Sequence, residues 1–362
     1  MCSSDLAKLF TLPPAAMYRR PARDRNYEFW GNQVFYGENP PQMALISYFT
    51  KSKPKDVTLK ITDATGREVR EIAVPERSLR AGIDSACWDL RVQPIPAPDT
   101  GRGQRAGGGQ GGGQGGTQET SQPAPEPFGY GCGGGTAAGG GGGGGFGGFG
   151  GGGGTPGPFV LPGSYNVALV VDGTSIETKP LRVVADPEVV LTEAQRKQMF
   201  DMAMEMHEIQ KRTTEAAAGV ASLNRQLTQL STDIGARNDI PADVKSSLDS
   251  LKADVTAMVP KLPTAPAGGR GGGGGGGRGG ADTSVVGRVA AAKNGLMAGM
   301  WPTSVTMKAF NDAKTDAPKA LSDANALFAK AASVSTSLAK YNLTLTAPKP
   351  VDTAVAAKKK TV

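Results

Sequence analysis

Ile83-Asp84-Ser85-Ala86-Cys87-Trp88-Asp89-Leu90-Arg91 and Phe159-Val160-Leu161-Pro162-Gly163-Ser164-Tyr165-Asn166-Val167-Ala168-Leu169-Val170-Val171 read as the two halves of one broken hairpin. Trp88 and Tyr165 are large aromatics that strands favour, and each needs a polar partner for its N–H or O–H when buried. Pro162-Gly163 supplies the turn that launches the second half. Between the halves lies a glycine-dominated tract, Gly101 to Gly157, whose composition builds no core. A loop of roughly 55 residues costs only about 2 kcal/mol more to close than a short one, because each doubling adds about 0.6 kcal/mol. The halves are therefore expected to pair, with Trp88 packed between sheets near Tyr165 and the tract replaceable by a short loop.

Strand signals surround this pair. Met43–Thr50 is an apolar run. Val57, Leu59 and Ile61 alternate with polar residues, as a half-buried strand does. Asp63-Ala64-Thr65-Gly66 is a turn, and the slip in parity between Val69 and Ile72 predicts a bulge near Arg70-Glu71. Tyr165–Val171, the two-residue turn Asp172-Gly173 and Ser175–Val184 form a second hairpin. Six strands at short spacing predict an antiparallel sandwich. Ala7 to Tyr36, which carries Tyr18, Tyr27, Phe29 and Trp30 among arginines, reads as an extended linker laid against it.

After Asp186-Pro187 the period changes. Thr192-x-x-Gln195 is a capping box. Apolar or small residues then recur at steps of three and four from Met199 to Ile234, broken by one polar residue at Thr213. Pro241 opens a second helix with Val244, Leu248, Leu251, Val255 and Met258 on one face. A third helix runs from about Thr283 to Met300. A fourth follows Trp301-Pro302-Thr303, with Pro318 either kinking or restarting it. The two outer helices are each about 40 residues, and the two short ones lie end to end or as separate hairpins. Continuity of the outer seams favours the end-to-end form.

Trp88-Asp89-Leu90-Arg91, Gly157-Pro158-Phe159-Val160-Leu161-Pro162-Gly163-Ser164-Tyr165, Val171-Asp172-Gly173 and Pro180-Leu181-Arg182-Val183-Val184-Ala185-Asp186-Pro187 carry a resemblance, together with Gly37-Glu38-Asn39-Pro40-Pro41 and Ala44–Tyr48. Over roughly Leu9 to Leu345 the chain resembles the C-terminal part of exported bacterial sortilin-like (VPS10-type, BNR-repeat) β-propeller proteins, often labelled glycosyl hydrolases. The resemblance implies a multidomain β + α chain: an antiparallel Ig-like β-sandwich of flagellar-hook-cap type, followed by an elongated antiparallel helical bundle. The propeller's Ser-x-Asp-x-Gly-x-x-Trp repeats are absent from this sequence.

The expected division is 1–36 as a linker from an upstream domain, 37–187 as the sandwich with a disordered insertion at 101–157, 188–346 as the bundle with a glycine-rich hinge at 268–280, and 347–362 as a disordered tail. The 362 residues fit two domains, and 52 glycines with 6% aromatics leave much of the chain outside a core. A formal charge of +7, from 40 basic and 33 acidic residues, describes a mixed surface rather than a basic stripe. No stretch is apolar enough to span a membrane. Met1–Leu6 lacks the basic and apolar regions of a secretory signal, and the native chain is expected to enter at about Ala7. Cys2, Cys87 and Cys132 have no paired or metal-like spacing, and Cys87, beside Trp88, is expected as a buried free thiol.

Candidate chemistry is sparse. His207 is the single histidine, has no Cys or His at ligand spacing on its helix, and is expected on the surface or rim. Asp63, Asp84, Asp89 and Asp172 sit at turns or strand ends, where an Asp bonds local backbone; a glycosidase pair needs two acids across a cleft. The glycine runs lack a Gly-Lys-Ser/Thr ending and any GxGxxG between strand and helix. Arg102, Arg105, Arg270 and Arg278, with Phe146 and Phe149, give them a weak nucleic-acid-binding or self-associating character, against a linker role. Met199, Met202, Met204 and Met206 read as core filling rather than a partner groove.

The expected function is a non-catalytic accessory or docking module of a larger exported propeller protein. Its partner would be that propeller or another protein, with no nucleic acid and no cofactor, and with no catalytic or metal residue. The alternatives are a fragment of a propeller enzyme whose active residues lie elsewhere, and a basic glycine-rich nucleic-acid binder.

Overall fold

A computed structural model describes residues 6–17, 43–96, 155–235, 237, 239–263 and 284–353. The chain is mixed β and α. It divides into two compact units, with the boundary after Arg196 among the described residues. Most of both glycine tracts, the cysteines Cys2 and Cys132, and the aromatic–arginine run from Tyr18 to Trp30 lie outside the described residues.

The first unit holds eight strands: β1 (Ala7–Leu9), β2 (Ala15–Met17), β3 (Ala44–Thr50), β4 (Val57–Asp63), β5 (Glu68–Ala73), β6 (Gly82–Trp88), β7 (Gly163–Val171) and β8 (Thr174–Ala185). They form a three-stranded sheet in the order β1-β3-β6 and a five-stranded sheet in the order β2-β8-β7-β4-β5. Alternation does what the pattern requires: Val57, Leu59 and Ile61 turn inward, while Thr58 and Lys60 turn away. The sheets meet where Trp88 of β6 sets its ring edge against Tyr165 of β7, with centroids 5.4 Å apart.

Several expectations are corrected here. The two quoted halves do not pair as strands. β6 pairs with β3, and β7 lies between β4 and β8, so the halves belong to different sheets. Trp88 and Tyr165 can pack ring to ring only because they face each other across the interior. The halves touch just beyond β6, through the bridges Arg91↔Phe159 and Ile95↔Thr155. The insertion therefore ends earlier than Gly157. A Cβ on that glycine would sit 2.5 Å from the Val92 carbonyl oxygen, so only glycine fits the approach.

Ala7–Met17, expected as linker, instead supplies two strands. β2 pairs in parallel with β8, so the sheets are not wholly antiparallel. The bulge falls one residue before its predicted place: Ile61 faces Arg70 and Thr62 faces Glu68, leaving Val69 unopposed. The slip carries Arg70 inward, where it is buried. Asp172 and Gly173, with φ of 50° and 74°, make the tight hairpin turn. Cys87 is disulfide-bonded rather than a free thiol.

The second unit holds α1 (Glu193–Gly235, which begins at the boundary), α2 (Ala242–Met258), α3 (Val285–Leu296) and α4 (Ser304–Ala339). The capping box forms as written: the Gln195 N–H donates to Thr192 Oγ1, and the Thr192 N–H donates to Gln195 Oε1. Thr303 caps α4 through the Thr306 N–H, and α4 runs unbroken through Pro318. All four helices share one apolar core.

Cross-contacts fix their directions. Lys314 meets Glu205 at 2.6 Å, and a Cβ on Gly219 would lie 2.7 Å from Phe328 Cζ. Both pairs keep the same offset along the two chains, so α1 and α4 run parallel. α3 runs against α4, with Arg288 on Asp316 and Gly295 beside Thr306. The Val285 N–H donates to the Lys261 carbonyl at 3.1 Å, which sets the start of α3 at the end of α2.

The tail, expected to be disordered from Ala347, is ordered through Thr353. Asn342, at φ 59°, turns the chain back, and the Leu343 N–H closes on the Leu338 carbonyl. That αL cap redirects Leu345–Asp352 along α1 and α4.

Candidate functional site

Trp88–Arg91 and Gly157–Tyr165, two of the stretches that carry the sequence resemblance, meet at one junction, built by the turn after β6 and the run into β7. Leu90, at φ 55°, bends the chain sharply. Trp88 Nε1 donates to the Arg91 carbonyl at 2.8 Å, which satisfies the buried indole. Arg91 lays its guanidinium 3.7 Å from the Phe159 ring centroid and donates to the Gly157 carbonyl at 2.9 Å. The backbone closes around them: the Val92 N–H bonds Pro158 and the Val160 N–H bonds Leu90.

Tyr165 donates its hydroxyl to the Leu161 carbonyl at 2.6 Å. Burial, and then the charge of Asp63, push its pKa up to about 12. Tyr48 also rises to about 12, through burial and then Asp84. Neither phenol exchanges protons near neutral pH. Arg70 donates to the Val92 carbonyl at 3.3 Å, and its Nε is buried without a partner. Burial lowers its pKa while Asp89 opposes the shift.

The four aspartates are engaged by backbone and near neighbours. Asp63 Oδ1 accepts from the Thr65 N–H, the Thr65 hydroxyl and the Arg67 N–H. Asp172 Oδ1 accepts from the N–H groups of Lys55 and Asp56. Asp89 accepts from the Arg91 N–H at 3.3 Å. Asp84 lies inside β6 rather than at its end, and takes the Ser85 N–H and Arg80.

His207 is 6% exposed, which corrects its expected place on the surface. It shares one buried polar stretch of α1 with Gln210 and Thr213, whose hydroxyl bonds the Gln210 carbonyl. Among the described residues, no group of three or more His, Cys, Asp or Glu side chains could hold a metal. Of the four methionines, Met199 and Met206 are buried. Arg102, Arg105, Arg270, Arg278, Phe146 and Phe149 lie outside the described residues. No helix among the described residues is long and apolar enough to cross a membrane.

The sequence missed two features. Lys293 is 1% exposed on α3, where a lysine at an inward position gave no apolar signal. The turn before α4 exposes Met300 and Trp301, by 49% and 44%, and the first turn of α4 exposes Val305 by 77%. No family model, curated protein or solved structure matches the chain.

Proposed function

We propose that the chain is a non-catalytic accessory module that docks onto a β-propeller, the C-terminal part of an exported sortilin-like protein. The observation that carries this reading is the junction. Trp88, Arg91, Phe159 and Tyr165, the side chains most specific to the resemblance, are bonded into the fold and hold it together. A buried tryptophan on one sheet, and a tyrosine whose hydroxyl reaches back to backbone upstream, support an Ig-like sandwich. The shared core of α1–α4 supports an elongated bundle after it. The disulfide at Cys87 supports export, since such bonds persist in oxidising compartments.

The test titrates the purified chain with a separately produced sortilin-like propeller, and assays the chain alone on chromogenic glycosides. A stoichiometric complex, weakened by Trp301→Ser in the exposed turn, is the expected result. Hydrolysis by the chain alone, lost on replacing Asp63 or Asp89, would move the function to an enzyme.

A further inference from the structure

The furrow between α1 and α4 holds an extended segment, and the way it is held has the chemistry of peptide recognition. Gln226 of α1 donates Nε2 to the Thr346 carbonyl at 3.2 Å, and its Oε1 accepts the Thr346 N–H at 2.8 Å. Asn325 of α4 treats Val351 in the same way, at 2.7 and 2.8 Å. A side-chain amide carries one acceptor and two donors, so each pairs with a residue's backbone as a neighbouring strand would. That pairing is blind to the side chain at the bonded position.

Selection falls on the side chains of Leu345, Pro348 and Asp352, and on that of Val351, which packs against the helical core. Leu345 is 2% exposed, and its carbonyl takes the Ser335 hydroxyl at 2.6 Å. Pro348 lies where a Cβ on Gly219 would come within 3.1 Å of it. Asp352 pairs with Arg212 at 3.5 Å. Backbone bonds that hold and spaced side chains that discriminate are the two parts of extended-peptide binding. Pro348 and Pro350 also fix their own φ, which lowers the entropy lost on ordering.

Within 344–353 only Leu345 is fully buried; it joins the apolar core that α1–α4 share, and Ala347 and Val351 pack against that core. We propose that this furrow is a peptide-reading site. Its resident occupant is Leu345–Asp352, and it accepts in trans an extended peptide of the same pattern: apolar, two residues, proline, two residues, apolar, acidic. The short turn at Asn342 holds the resident segment at an effective concentration on the order of millimolar, so the tail gates the site.

The probe is a fluorescent peptide with the sequence of Leu343–Thr353, followed by anisotropy. The receptor is the full chain carrying Leu345→Asp and Val351→Asp, which releases the tail. This chain should bind the probe at least about tenfold more tightly than the wild-type chain does. Adding Asn325→Leu should weaken binding about tenfold, through loss of two hydrogen bonds. A scrambled peptide should bind no better than to the wild type. A released chain with intact helical circular dichroism and no gain in binding overturns the proposal, as does equal binding of the scrambled peptide or no effect of Asn325→Leu. Should the released chain unfold, amide exchange on the wild type decides. The Thr346 and Val351 amides must exchange faster than that of Leu223 in the α1 core; equal rates overturn the proposal, since the tail would then open only with the helices.

Discussion

In the β unit, one junction gathers the indole of Trp88, the phenol of Tyr165, the Arg91–Phe159 stack and the return of the chain at Gly157. Among the described residues of the helical unit no position is singled out in this way. Its core is a long succession of Val, Leu and Ala with Phe310 and Phe328 between them, spread over α1 (43 residues) and α4 (36 residues). The first arrangement sets a few large side chains with obligatory polar partners into a core that also buries Leu9, Ile46, Leu59, Ile61, Leu169 and Leu181. The second spreads the free energy of folding over many small contacts. A single substitution should therefore wound the two units very differently.

Trp88→Ala should be the most damaging change. It removes a fully buried side chain and leaves the Arg91 carbonyl and the Tyr165 ring without their partner, at a cost of about 3–5 kcal/mol. Denaturant unfolding should show a large fall in the β unit's midpoint. An unchanged midpoint would mean that the junction is not what holds the sheets together.

Gly219→Val probes a tight spot in the helical unit. The new side chain would overlap the Phe328 ring and press on Pro348, with an overpacking cost of about 1–3 kcal/mol. The gain over glycine in helix propensity, below about 1 kcal/mol, offsets only part of it. The helical signal should melt earlier while the β unit stays unaffected. A raised midpoint would show that the ring can step aside.

Tyr165→Phe should cost about 1 kcal/mol, since it deletes one hydrogen bond to the Leu161 carbonyl and keeps the ring contact. Set beside Trp88→Ala, it separates the polar from the apolar share of the junction. A loss as large as that of Trp88→Ala would place the weight on the hydroxyl.

The smallest expected effect is in acid. The Thr65 hydroxyl, and then the Arg67 and Thr65 N–H groups, hold the Asp63 pKa below its ordinary value. The Leu9 N–H, and then Lys179, do the same for Glu177. Both carboxyls bind their protons less readily folded than unfolded. Their contribution is thus complete above the ordinary carboxylate range and is lost as pH falls through the lowered folded values. Asp63→Asn and Glu177→Gln should each flatten the acid limb of β-unit stability, read by residue-resolved amide exchange. A limb as steep as the wild type's would assign the acid loss to other groups.

How much of this was legible follows from periodicity. The five inward residues of α2, from Val244 to Met258, were read one for one, because a helix repeats its face every 3.6 residues and each repeat confirms the last. β4 was equally clear from its alternation. β1 and β2 were missed because three residues carry no period. Arg70 was missed because its inward side depends on which residue the bulge extrudes, and Val69 and Arg70 differ by one step of parity. The ordered tail left no trace in the pattern, since it is held by the side chains of Gln226 and Asn325 rather than by a repeat of its own. At the junction, the aromatic pair could be named but its sheet assignment could not. Strand partners are a property of topology, and two apolar strands fit either sheet.

The parallel pairing of β2 with β8 sets a timetable for synthesis. Ala15 leaves the ribosome long before its partner Val183, and the Leu9 N–H likewise waits for Glu177, 168 residues downstream. At about 5–20 residues per second, β2 waits roughly 10–30 seconds for β8, whereas β1 can pair with β3 much sooner. Any chaperone that attends the nascent chain therefore has a long task at β2, and the five-stranded sheet can close only after the glycine tract has already passed.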